Sequence, residues 1–395
     1  MNIQAFERNE NQYWPMLSVS PNYSVIYWMA ENPYRRELTE TDKFNLKFNS
    51  SFGMLSDKAK SKIRKSVNYL IYISDFQDIC LVKEKKQIRF KINFITLTLP
   101  APQKHSDIEI RKECLHQFIT ELQHKYGMKH YLWKAEKQKN GNIHFHFTTN
   151  VFIHWQELRD IWNRIVEKLG YVTDYQNRMK TVHKNGFCLN NNLLQTWPEI
   201  QQRAAYEFGL KTNWRSPNST DVHAVKNIQD LSAYISEYFT KAPLDEIELI
   251  AYKEAVDSQK KLKVLIEIAK NELSLVDEKN TADRNHYNNI IATHTSTIAN
   301  YQKVIDKFSH LFVTCDIWNL SRSLSNIKIS VDLTNEIHSN EINEFVTKNP
   351  SLVDSLETFS IVKCHIKKLS DLGCKSIKNE FDIKLNEHLL KYSKP

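Results

Sequence analysis

Two histidines one residue apart, His144 and His146, offer the clearest chemistry in the chain, and Glu136 stands a few residues upstream. On a strand, alternate side chains leave the same face, so both imidazoles would project together while Phe145 and Phe147 turn to the core. Two imidazoles on a rigid strand form half of a divalent-metal site, and a carboxylate would complete it. Whether Glu136 can serve depends on the turn between the strands. A two-residue turn at Asn140-Gly141 would set Lys137 opposite His144 and send Glu136 to the other face. An odd loop, with Gly141 left-handed in a G1 bulge, would gather Glu136, Gln138 and both histidines on one face. Gln138 is then the rival for the third ligand position. The competing reading of His-x-His is a solvated strand face; Glu136 and the glycine turn favour the metal. A structural zinc module is disfavoured because no cysteines accompany the histidines.

The second constellation is Tyr234-Ile235-Ser236-Glu237-Tyr238-Phe239-Thr240-Lys241. On a helix, Tyr234, Tyr238 and Lys241 share one stripe, and Ile228, Leu231, Ile235 and Phe239 form a neighbouring, core-facing one. A tyrosine pair at this spacing is often plain amphipathic packing. A phenol with its pKa near ~10 is a poor nucleophile at neutral pH. It can attack phosphorus when a cation polarises the scissile phosphate. The product, a phosphotyrosine ester, keeps the bond energy for a later rejoining step. A second tyrosine one turn away could act in a subsequent round, and a lysine on the stripe could steady phosphate or phenolate.

The elements around these residues are legible from periodicity. Alternation from about 88 to Leu99 reads as a strand, Asp107 to about Tyr126 as a helix closed by Gly127, and His130–Gln138 and Ile143–Asn150 as a hairpin. Trp155–Leu169 is amphipathic, the stretch from 171 to 220 reads as loop-rich, Asp221–Val225 as a short strand and Ile228–Lys241 as a helix. The expected fold class is therefore α+β, a ferredoxin- or RRM-like antiparallel sheet in βαββαβ order. The chain divides into an N-terminal unit (1–88), this core (89–245), a helical hairpin (246–312) broken near Asn280–Asp283, and a mixed C-terminal region (313–395) without evident chemistry. In the N-terminal unit, residues 58–65 put five cations in eight positions after the helix start Ser56-Asp57. A solvated helix face is one reading of that run, and a phosphate-facing helix the other.

The chain has 395 residues, 41% hydrophobic and 25% charged, which suits two or three globular units. Its 54 basic and 46 acidic residues give a net charge of +8, favouring a polyanionic partner. Only seven glycines occur, none placed for a phosphate-binding P-loop, so a helicase or ATPase module is excluded. The six cysteines form no C-x-x-C pair and read as reduced thiols. No run is long enough to span a membrane and no signal layout is seen, so a cytoplasmic protein is expected.

Taken together, these motifs resemble the HUH endonucleases, specifically rolling-circle replication initiators of single-stranded DNA phages and small plasmids. Phe94-Ile95-Thr96-Leu97-Thr98-Leu99 looks like the family's first motif, His144-Phe145-His146 like its metal motif, and Tyr234–Lys241 like its catalytic helix. The resemblance covers about residues 90–245, with a looser echo at Ile317-Trp318-Asn319-Leu320-Ser321. Glu237 departs from the lysine often found after the first tyrosine, whereas Lys241 keeps that spacing from Tyr238, which ranks Tyr238 ahead of Tyr234. His223 is read as a strand residue near the site and not as a ligand. The resemblance implies Mg²⁺ or Mn²⁺ held by Glu136, His144 and His146, and nicking of single-stranded or hairpin origin DNA with tyrosine joined to the 5′ end. It further implies a free 3′-OH for a host polymerase, rejoining at the end of a round, and a separate host helicase. The basic run at 58–65 and the aromatics of 171–220 are candidates for holding the DNA. The alternatives are a transposase or mobilisation relaxase of the same chemistry, and a non-catalytic single-strand binder that needs no metal.

Overall fold

The computed structural model describes residues 13–30, 55–81, 85–224 and 245–392, together with residue 39, residues 235–237 and residue 239. The chain opens with a hairpin of β1 (Tyr13–Val19) and β2 (Ser24–Ala30), followed by helix α1 (Asp57–Ile73). Ser56 caps α1 by accepting from the Ala59 N–H at 3.2 Å. A small ribbon of β3 (Gln77–Leu81) and β4 (Lys86–Phe90) comes next. The alternating run expected as one strand is thus two. It breaks at Lys91-Ile92: its first part pairs with β3, and β5 (Asn93–Leu97) enters the central sheet.

From β5 the chain builds the α+β core. Helix α2 runs from Asp107–Glu109 through a π-helical stretch, Ile110–Leu115, to His116–Tyr126. It starts in a reciprocal capping box of Ser106 and Glu109 and ends at left-handed Gly127. Strands β6 (Tyr131–Lys137) and β7 (Ile143–Thr149), helix α3 (Trp155–Glu167) and strand β8 (Thr220–Ala224) complete it. The order β8-β5-β7-β6, antiparallel throughout, is that of a βαββαβ sheet. The stretch between α3 and β8, expected as loop, carries helices α4 (Tyr171–Val182) and α5 (Glu199–Thr212). Their apolar periodicity is weak because their aromatic residues pack mainly with one another. His183, Phe187, Tyr206 and Trp214 form one cluster, with His183 and Trp214 stacked at 6.0 Å.

Helices α6 (Glu246–Leu275) and α7 (Thr281–Ser309) form the antiparallel hairpin, turned at Asn280, which caps α7. The chain then returns to the central sheet, where β9 (Trp318–Leu320) pairs with β6 as a fifth strand. Beyond it, β10 (Ile329–Asp332), β11 (Val353–Ser355) and β12 (Phe359–Val362) join the N-terminal hairpin in a second sheet, ordered β10-β1-β2-β12-β11. The segments 1–88 and 313–395 therefore share one sheet. Local patterning carries no trace of this pairing, because the partners lie some three hundred residues apart.

One face of the central sheet is closed by α2 and α3, where Phe118, Phe145, Phe147 and Trp162 pack edge to face. On the other face, Phe94, Leu132 and Leu320 join a continuous core with Ile63, Val67 and Leu70 of α1 and Leu17 and Val19 of β1.

The loop end of the β6–β7 hairpin is pinned by a buried ion pair. Asp107 accepts from Lys137 Nζ at 2.6 Å and from Gln103 Nε2 at 2.7 Å, and its second oxygen takes the Thr314 N–H at 2.9 Å. Gln103 in turn accepts the Ile143 N–H at 2.6 Å. Burial alone would raise the Asp107 carboxyl, but the hydrogen bonds from Lys137, Gln103 and Thr314 outweigh it and hold it below the usual range. This group's contribution to stability is complete above the unfolded carboxylate pKa and is lost as pH falls through the lower folded one. Asp107→Asn, which strands the Lys137 ammonium, is expected to cost about 3–5 kcal/mol in urea unfolding at neutral pH. The gap between the two chains should close in acid below roughly pH 4.

Candidate metal centre and catalytic face

The turn between β6 and β7 decides the site. The Gln138 N–H donates to the Asn142 carbonyl at 2.8 Å and the Gly141 N–H to the Gln138 carbonyl at 2.8 Å, with Gly141 at φ +83°. This is the odd, bulged loop, and glycine is what allows the positive φ. Glu136 consequently stands directly opposite His144, and Lys134 opposite His146. Gln138 lies in the turn itself.

Directly opposed residues share a face. One polar row crosses the sheet as Asp221, Thr96, His146, Lys134 and Trp318. The next row towards the turn holds His144 and Glu136, and the row on the other side holds Phe94, Thr148, Leu132 and Leu320. That last row is the one buried beneath α1.

Within the polar rows the two Nε2 atoms of His144 and His146 lie 2.9 Å apart. Glu136 brings its carboxylate oxygens to 3.6 Å from His146 and 3.9 Å from His144. The three donor atoms fall within 4.8 Å of one another, and this cluster of two nitrogens and one carboxylate could hold a metal ion. His146 is held on two sides: its Nδ1 lies 3.3 Å from the Thr96 hydroxyl, and its ring stacks on Phe94 at 5.5 Å. A proton on Nδ1 shared with Thr96 leaves the Nε2 lone pair facing the cluster. His144 Nδ1 is buried without a partner among the described residues.

The electrostatics favour neutral imidazoles. Burial, the neighbouring His144 and the Lys134 ammonium press His146 down to about 3. Burial also lowers His144, with Lys134 adding to it and Glu136 opposing it. Neutral imidazole is the form that ligates a metal. Lys134 was not anticipated as part of the site. Its side chain is 7% exposed and its Nζ donates to Glu136 at 2.8 Å. The signal was present: residue 134 has the parity of 136, so the odd loop places it on the histidine face.

Tyr234, Tyr238 and Lys241 lie outside the described residues. Their neighbours Ile235 and Phe239 are described and fully buried. Phe239 packs edge to face on Phe94 at 6.2 Å, and Phe94 is the ring that stacks on His146. His223 holds a register position opposite Phe94 on β8.

Residues 92–243 match the family model of the replication-associated protein ORF2. The match runs from β5 past β8 and takes in the hairpin with Glu136, His144 and His146. No curated protein and no solved structure matches the chain. The match links the chain to DNA replication, and among the described residues no helix is long and apolar enough to cross a membrane.

Titration with Mn²⁺ is expected to raise the melting temperature of the unmodified chain. The gain should approach about 2.7 kcal/mol when the metal stands a hundredfold above its Kd. His146→Ala and Glu136→Gln should abolish most of that shift in a thermal scan.

Proposed function

We propose that the chain initiates replication by nicking one DNA strand at an origin and later rejoining it, through a tyrosine–5′-phosphate linkage. The observation that carries this reading is the convergence of Glu136, His144 and His146 on the sheet face of a segment that matches replication-associated proteins. Glu136, His144 and His146 would hold Mg²⁺ or Mn²⁺, which when bound supplies positive charge to the scissile phosphate and to its transition state. Lys134 holds the Glu136 carboxylate in place and adds a fixed positive charge behind it. Thr96 and Phe94 keep the His146 ring from turning.

Tyr238 is the assigned nucleophile, Tyr234 the auxiliary one, and Lys241 the cation that steadies phosphate or phenolate. The support is the helical spacing of these residues, together with Phe239, whose ring reaches the same Phe94 that backs His146. In the nicking step a bond forms between the tyrosine Oη and phosphorus as the bond to the 3′ oxygen breaks. The phenolic proton is balanced by the one gained at the departing 3′-OH. The strand end thus released serves a polymerase, and reversal by a 3′-OH rejoins the strand. Unwinding falls to a separate helicase, since the chain carries no P-loop. A relaxase or transposase would use the same chemistry; the match to replication-associated proteins favours initiation.

The test is a denaturing gel of labelled single-stranded origin DNA incubated with the protein and Mn²⁺. A covalent adduct should form with the unmodified chain, fall at least about 10³-fold in Tyr238→Phe and His146→Ala, and persist in Tyr234→Phe. DNA binding without an adduct under any divalent metal would leave a binding protein in place of a nuclease.

A further inference from the structure

Two segments outside the matched region meet beside the metal cluster. Trp318 of β9 stands opposite Lys134, so it extends the polar row that holds His146, two strand spacings or about 10 Å away. Trp318 is half-buried, its inner side against the core beneath α1. Over its ring lies Lys62 of α1, with the ammonium 6.0 Å from the ring centre.

Lys62 belongs to a stripe. Lys58, Lys62 and Lys65 fall at i, i+4 and i+7 of α1, spanning about 10 Å along the axis. Lys58 and Lys62 are exposed and Lys65 is half-buried, its ammonium packed over Tyr69 at 5.9 Å. This stripe is poorly arranged for the helix itself. Asp57 is the sole acid in the seventeen residues of α1, and it pairs with Lys60 at 3.3 Å. Like charges at i, i+4 repel, and cations in the first turn oppose the positive end of the helix dipole. Lys58 and Lys62 therefore cost α1 stability instead of contributing it. Lys65 has its charge further disfavoured by burial and by nearby Lys328. An uncompensated cationic stripe beside a half-open indole combines a phosphate-tracking charge with a stacking surface, the two features by which single strands are held.

We infer that Trp318 and the Lys58–Lys62–Lys65 stripe of α1 form a seat for single-stranded nucleic acid leading to the Glu136–His144–His146 cluster, one base stacking on the indole and the backbone following the lysines. This rests on the proposed DNA chemistry and deepens it: the strand is guided by the flanking unit and not by the matched segment alone. A duplex cannot present an unstacked base to Trp318, so the seat selects single strands.

The experiment measures binding of the full chain to a labelled oligo(dT) in EDTA, across a salt series, with a duplex of the same length alongside. Lys58→Ala/Lys62→Ala should weaken single-strand binding about tenfold or more at low salt. Its log–log salt slope should become shallower by about 1.4, near 0.7 per lost phosphate contact. Its melting temperature should hold or rise. Trp318→Ala should weaken binding about tenfold with the slope unchanged, and Trp318→Phe, which retains a stacking face and core packing, should keep most of the affinity. The inference is overturned if the double lysine variant binds as the unmodified chain does, if Trp318→Phe falls as far as Trp318→Ala, or if duplex binding suffers equally. The adduct assay keeps the two readings apart. Unchanged binding in the variants with an adduct in the unmodified chain sinks the seat alone. Lost binding in the variants, with no adduct from the unmodified chain, sinks the nuclease and leaves the seat.

Discussion

Strand pairing between β6 and β7 has a side-chain period of two, so one residue in the connecting loop decides which side chains meet. The bulge at Gly141 makes the loop odd, and that parity brings Glu136 opposite His144. With an even loop Glu136 would face Trp162 and Phe118 under the helices, where a carboxylate has no partner. Lys134 would leave the cluster with it. The metal cluster, its electrostatic setting and the open polar rows all descend from this register. The structure secures it twice: at the turn by the Gln138–Asn142 and Gly141–Gln138 hydrogen bonds, and one residue further by the buried Lys137–Asp107 pair.

The face bearing the cluster is divided along the strands. The row of Phe94, Leu132 and Leu320 is sealed under α1, while the adjacent rows stay polar and open towards the turn. His146 belongs to both regions, stacked on Phe94 of the sealed row and aimed at His144 in the open one. Burial on one side keeps its imidazole neutral, and openness on the other leaves room for a phosphate. Lys134 acts in the same sense: its ammonium disfavours protonated imidazoles while offsetting the Glu136 charge. A cluster with both histidines protonated would repel a divalent cation.

Much of this was legible in the sequence because it is local. Alternation in β5, β6 and β7, the glycine turn, and the helical spacing in α2 and α3 are short-range signals, and they define the βαββαβ order. The parity of the hairpin was posed by the sequence and decided by the fold. What escaped was long-range. Nothing in Tyr13–Ala30 reveals that it pairs with strands beyond residue 328, and nothing in Trp318-Asn319-Leu320 alone marks it as a fifth strand beside β6. Helices α4 and α5 escaped for another reason, since their aromatic residues serve a small satellite cluster and not an amphipathic stripe on the main core.

The two ends of the chain do more than cover the core sheet. A four-stranded βαββαβ sheet would leave β6 as an open edge, with unpaired backbone groups and the Glu136 strand free to fray. β9 closes part of that edge by pairing Leu132, Trp133 and Lys134, and the Ala135 N–H donates to the Ile317 carbonyl at 2.7 Å. The strand that carries Lys134 and Glu136 is thereby paired on both sides. α1, anchored in the second sheet by the Tyr69 hydroxyl on the Val19 carbonyl, then lies against the row next to the cluster. The cluster residues come from residues 136–146, but the rigidity that aims them comes from residues 57–73 and 317–320. A fragment limited to the matched region would keep the ligands while losing the partner of β6 and the roof over Phe94. The full chain is therefore the unit on which the site's geometry depends.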